Sequence, residues 1–210
     1  ISADGVVLAV ADGMGGGPAG EEASAEVLES LAREIGAEGG ERTLRVRIMD
    51  GIEVANDRIL ERAPGAKTTL VLVALEGDVV RPYHVGDSEV LVVGQRGRLK
   101  LRIVAHSPVA YAVEAGVLDA AEAMHHQDRH FVSNVVGSSD MRIEVGPPLT
   151  LAPHDTVLLG TDGLFDNLAL DEIVERIRKG PLEEAARRLV ADVTRRMTDP
   201  ESGAPSKPDD

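Results

Sequence analysis

The sequence predicts an α+β fold in which antiparallel sheets pack together with helices outside them. Helical periodicities cluster near the two ends of the chain, and short apolar runs separated by turn signals fill its middle. This order suits packed sheets better than a parallel sheet that alternates strand with helix. The length of 210 residues fits one compact domain, 1–210, and the hydrophobic fraction of 43% supplies an ordinary core. With two Phe, two Tyr and no Trp, that core is built from Val, Leu, Ile and Ala.

Residues 6–11 are continuously apolar, 12–20 are rich in Gly, and Ala23, Val27, Leu31 and Ile35 then recur at helical spacing, so strand, turn and helix follow one another. Leu44, Ile48, Ile52, Ala55 and Ile59 predict a second helix after the polar connection 36–42. Residues 70–75, 79–85, 89–93 and 99–104 read as strands of an antiparallel meander, with turns at 76–78, 86–87 and 95–98. The long mixed stretch 105–140 reads as an irregular, flap-like surface excursion with a short helix near 110–116. Strands return at 141–145 and 156–160. Two helices follow, one carrying Ile173, Val174 and Ile177, the other Leu182, Ala186, Leu189, Val193 and Met197.

Composition excludes several functions. With 36 acidic against 22 basic residues the formal net charge is −14, which repels nucleic acid and anionic membranes and concentrates cations. A protein of this charge that acts on a phosphate ester needs local positive charge, and divalent metal supplies it. The absence of Cys rules out disulfides, thiolate metal sites and cysteine nucleophiles. No apolar run approaches the ~18 residues that cross a bilayer, and nothing resembles a secretion signal, so a cytoplasmic protein without membrane insertion is expected.

Asp12-Gly13, Gly86-Asp87 and Asp162-Gly163 all stand at the ends of apolar strands. A strand end aims a carboxylate, the adjacent Gly allows close approach, and converging carboxylates repel unless cations lie between them. Oxygen-only ligands select Mg or Mn over Zn. Asp-Gly also marks ordinary turns, and spacing alone does not decide between the readings.

The surrounding strings are more specific. Residues 10–16 read VADGMGG, 67–70 KTTL, 85–88 VGDS, 159–167 LGTDGLFDN and 207–210 KPDD. In this order and at these separations they resemble the metal-dependent type 2C, or PPM, protein phosphatases, and the DGMGG form is similar to the bacterial branch. The resemblance implies an αββα sandwich, two antiparallel sheets with helices outside. It implies Asp12 and Asp162 as the catalytic carboxylates, Asp12 bridging two metal ions with the Gly13 carbonyl on the second. Asp162 and Asp209 would hold the first ion, and Asp87 with Asp162 a third described for bacterial members. The cofactors implied are Mn2+ or Mg2+, whose shared water attacks phosphorus. The partner implied is a phosphoserine- or phosphothreonine-bearing protein, opposite a Ser/Thr kinase, acted on by a monomer.

Departures from the family pattern are equally specific. The family's phosphate-gripping Arg stands before its DG strand, ahead of Ile1, so a catalytically impaired regulatory or phosphosite-binding module is the alternative expectation. Met14 stands where eukaryotic members have a His proposed as an acid, and Ala105 replaces the Asp of an Asp-His pair that would end in His106. Residues 106–137 correspond to the family's flap. His125, His126, Asp128 and His130 offer zinc-ligand types, but solvated flap residues are the commoner case. Asp166 and Asn167 read as caps of the following helix, and Asp171 and Glu172 as its first-turn charges. Gly15, Gly17 and Gly20 match a dinucleotide fingerprint, but the second apolar strand with its acidic end is missing.

Overall fold

The computed structural model describes residues 5–15, 18–37, 42–198 and 206–207. In chain order the elements are β1 (Val6–Val10), β2 (Gly13–Met14), α1 (Pro18–Gly36), α2 (Leu44–Arg62), β3 (Lys67–Thr68), β4 (Leu70–Glu76), β5 (Val79–Val85), β6 (Glu89–Val93) and β7 (Leu99–Arg102). Then come α3 (Pro108–Glu114), α4 (Ala120–Met124), β8 (Glu144–Val145), β9 (Leu149–Thr150), β10 (Thr156–Gly160), α5 (Asp162–Phe165), α6 (Leu170–Ile177) and α7 (Leu182–Thr198).

Four layers result from alternation along the strands, because successive side chains point to opposite faces. In β4, Leu70, Leu72 and Ala74 pack with Ala23, Val27, Leu31, Ile48 and Ile52 of α1 and α2. The intervening Val71 and Val73 meet Val80, Val90 and Val92 between the sheets. In β6, Leu91 and Val93 turn the other way, onto Leu168, Ile173, Ile177 and Leu189 beside α6 and α7. The first sheet runs β1-β4-β5-β8 with β9 also on β5, and the second runs β10-β6-β7. All named pairings are antiparallel. This is the expected sandwich, and the antiparallel β1–β4 pair excludes the dinucleotide fold.

The expected meander is corrected. Strands β5 and β6 follow one another but belong to different sheets, so the segment is two hairpins, β4–β5 and β6–β7. Both faces of β4 and β6 are apolar and buried, which suits strands in the middle of a sandwich. Gly86, with φ of 112°, lets the chain leave the first sheet there. The strand expected at 141–145 shrinks to β8, and β2, β3, β9 and α5 are too short to leave a periodic signal. The excursion holds α3, capped by the Ser107 hydroxyl, which accepts from the Ala110 N–H at 3.1 Å, and α4. Its two ends are not surface: His106, Ser107, Asn134, Val135 and Val136 are buried. Val136 exchanges main-chain hydrogen bonds with Thr68.

Candidate active site

Three strand ends meet at one edge of the sandwich. Val10 lies opposite Val71 and Val85 opposite Leu70, so β1 and β5 both finish beside the start of β4. Gly160 lies opposite Glu89, which brings the end of β10 to the residue pair following Asp87. Asp12, Asp87 and Asp162 are carried there by the backbone before any side chain is considered.

The Thr pair of the KTTL string joins two of these ends. The Thr68 hydroxyl donates to the Asp12 carbonyl oxygen at 2.7 Å, and the Thr69 main-chain N–H donates to the same oxygen at 2.8 Å. The Asp12 N–H donates to Thr69 Oγ1 at 3.3 Å, and Thr69 Oγ1 lies 2.7 Å from Ser88 Oγ. Thr69 thereby ties Asp12 to the turn that holds Asp87. Gly13 is pressed against α1: a Cβ there would lie 2.3 Å from the Gly20 carbonyl oxygen, so only Gly allows β2 to sit this close.

The carboxylates perturb one another. Burial, then the negative charge of Asp162, pushes the Asp87 carboxyl up to about 7. Asp162 and Asp166 both accept from the Lys207 ammonium, Asp166 at 2.9 Å. Burial opposes the charge of Lys207, yet these two partners hold its pKa above the ordinary lysine value. Burial also raises Asp166, with Lys207 pulling the other way. Asn167 fixes the lysine from behind, accepting from the Lys207 N–H at 2.7 Å and donating to the Lys207 carbonyl at 3.0 Å.

Asp166 and Asn167 are therefore not the caps that their position suggested. Glu172 caps α6 by accepting from the Ala169 N–H at 3.0 Å, while Asp166 faces Asp162 and Asn167 also donates to the Gly163 carbonyl at 2.9 Å. Asp171 and Glu172 do occupy the first turn of α6. Asp209 lies outside the described residues. The flap histidines His125, His126 and His130 line one shallow cavity but are not a metal-capable grouping: α4 ends at Met124 and the chain turns, His126 Nδ1 accepts from the Asp128 N–H at 3.1 Å, and His130 packs on Phe131. Among the described residues the metal-capable grouping is instead His84, His106 and Glu144.

Beside the carboxylates a cavity of about 250 Å³ runs beneath α3 and α4, with Asp87, Asp162 and Asp166 on one wall and Val109, Val113 and Met124 on another. The Glu89 carboxylate, buried there, takes two hydrogen bonds from Arg102, at 2.6 and 3.0 Å.

The sequence profile of protein phosphatase 2C matches residues 1–204. A protein phosphatase 2C-type protein of Streptococcus pyogenes is 32% identical over 81% of this chain and 72% of its own length. The serine/threonine protein phosphatase PstP of Mycobacterium tuberculosis is 31% identical over 88% of this chain but only 36% of its own. A solved catalytic domain of PstP in complex with two manganese ions superposes with a TM-score of 0.74 at 26% identity, over 90% of this chain and 81% of that one. The αββα sandwich, the carboxylates gathered at one edge of it and the match along almost all of the sequence agree, and the chain belongs to the protein phosphatase 2C family.

Proposed function

We propose that this chain hydrolyses phosphoserine and phosphothreonine monoesters on proteins with water, using Mn2+ or Mg2+ held by Asp12, the Gly13 carbonyl, Asp87 and Asp162, with Asp209 completing the set. The observation that carries the reading is the crowding of Asp162 and Asp166 on one ammonium group, with Asp87 close enough to feel the charge of Asp162 and, by burial and that charge, pushed up to about 7. Clustered carboxylates in a low-dielectric setting repel one another, and Lys207 already stands where positive charge is demanded. The donor set is oxygen alone, which fits these ions and not zinc. Asp166 joins the candidate ligands on the same geometry.

Bound divalent ions supply a more acidic water and neutralise phosphoryl oxygens. The chain's own residues do the rest. Thr68 and Thr69 immobilise the Asp12 backbone, and the close Gly13–Gly20 packing sets the Gly13 carbonyl against α1 with no Cβ of either residue in the way. Burial and the charge of Asp162 push the Asp87 carboxyl up to about 7 even with Lys207 nearby, and a cation held beside it would favour its ionised, fully accepting form. Met14 carries no proton, so the leaving group takes its proton from solvent or a neighbouring group. A monomer in the cytoplasm, opposite a Ser/Thr kinase, belongs to the same proposal. No helix among the described residues is long and apolar enough to cross a membrane.

The test is phosphate release from a phosphothreonine peptide and from an aryl phosphate, with added Mn or Mg and then with chelator. Both activities are expected to require the metal and to vanish on chelation. Full turnover after exhaustive chelation contradicts the reading.

A further inference from the structure

We propose that His106 is a positioning residue of the carboxylate cluster: it grips both polar backbone atoms of Gly86 and so fixes where the Asp87 carboxylate points. The inference rests on the reading of Asp87 as a ligand given above. Strand β5 ends at Val85, so the Gly86 N–H and carbonyl fall beyond the sheet ladder. His106 takes both: its main-chain N–H donates to the Gly86 carbonyl at 2.9 Å, and its Nδ1 accepts from the Gly86 N–H at 3.0 Å. Gly86 has φ of 112°, and a Cβ on it would lie 2.7 Å from the Thr69 side chain, so the turn requires the most permissive residue. A permissive residue holds no direction by itself, and the hold comes from outside.

The imidazole is itself held on several sides. A main-chain N–H can only donate, so Nδ1 carries a lone pair and the ring proton sits on Nε2, 3.0 Å from the Glu144 carboxylate. Asn134 Nδ2 reaches Nδ1 at 3.0 Å, and Asn134 is fixed by the Arg142 backbone, donating to its carbonyl at 2.7 Å and accepting from its N–H at 3.0 Å. The ring stacks on buried His84 with centroids 4.2 Å apart. Ser133 donates to the His106 carbonyl through its main-chain N–H at 2.8 Å and its hydroxyl at 3.0 Å. On the far side of Asp87, Ser88 is tied to Thr69. Asp87 is thus suspended between two anchors, His106 before it and Thr69 after it. Stacked rings cannot both direct in-plane lone pairs at one ion, and both His106 nitrogens are engaged, so His84, His106 and Glu144 serve this hold and not a separate metal.

The experiment compares wild type with His106→Leu, which keeps bulk but removes the acceptor, and His106→Asn, whose amide oxygen reaches the place of Nδ1. Three readouts are taken on folded protein: hydrogen exchange of the Gly86 amide without metal, Mn binding by calorimetry, and kcat and KM for an aryl phosphate. For His106→Leu we expect Gly86 exchange and the weakest Mn site each to change by about tenfold, with kcat falling by a similar factor and KM moving less than about twofold. His106→Asn should recover most of each. Asn134→Ala, which frees the ring without removing it, carries the same test should His106→Leu not fold. Wild-type exchange and Mn binding in His106→Leu overturn the proposal, as does an Asn variant impaired equally with Leu. A wild type that binds no Mn defeats the functional reading instead, and Gly86 exchange still decides the role of His106.

Discussion

Asp87 is an aspartate whose protonation is governed by its surroundings more than by its own chemistry. With its carboxyl raised from 3.8 to about 7 by burial and by Asp162, the folded metal-free protein binds a proton there between those values that the unfolded chain does not. The sign follows: stability contributed by this group is fully present below about pH 4 and is lost as pH rises through 7. Asp87→Asn should therefore raise the stability of the metal-free protein above pH 7, by up to a few kcal/mol, and flatten its slope between pH 4 and 7. In saturating Mn the order should reverse. Denaturant unfolding against pH on both proteins checks this, and parallel slopes in the absence of metal contradict the environment described. The three strand-end aspartates were legible because each follows an apolar run and adjoins Gly. Asp166 was not, because Asp-Asn before a helical pattern is also a capping signal, and what turns Asp166 inward is Lys207, distant in sequence. In the sequence His106 is marked only as the second half of a family pair whose Asp is Ala105 here; its hold on Gly86 was not legible, because its partners Gly86, Asn134 and Glu144 are assembled only by the fold.

At the level of elements, α1 and α2 followed from periodicity because their buried positions recur at fixed spacing, whereas on α7 Leu182 and Ala186 of the expected face are exposed and Ala185 is buried along with Leu189. Ala23, Val27, Leu31 and Ile35 of α1, like Leu44, Ile48, Ile52, Ala55 and Ile59 of α2, are all buried. Sheet membership was not legible. A strand with both faces apolar looks the same wherever its hydrogen bonds go, so the break between β5 and β6 was read as a continuing meander. Leu72 is fully buried between β4 and the helices, and Leu72→Ala should cost about 2–5 kcal/mol in denaturant unfolding. A loss well below 1 kcal/mol would contradict that packing. Gly13→Ala presses a methyl group onto the Gly20 backbone, so β2 must move off α1, at a cost of about 1–3 kcal/mol. Because the Gly13 carbonyl moves with it, Mn affinity should fall in the same variant, as calorimetry would read. An unchanged isotherm would remove Gly13 from the candidate ligands.

In the whole molecule, two sheets stacked face to face bring β1, β5 and β10 to one edge, and the candidate site is the meeting of their ends. A net charge of −14 concentrates cations around such a cluster, and ions that bind only the folded form stabilise it. At a hundredfold excess over the dissociation constant, Mn should add roughly 2.7 kcal/mol to unfolding stability for each site filled. The most direct measurement is a Mn titration followed on the same samples by calorimetry and by phosphothreonine-peptide turnover, for wild type and Asp162→Asn. Wild-type turnover should rise along the binding curve, while Asp162→Asn, folded and unfolding cooperatively, should bind Mn more weakly and lose about a thousandfold or more in kcat. An Asp162→Asn protein with wild-type Mn binding and wild-type turnover would contradict the assignment of this carboxylate cluster as the catalytic centre.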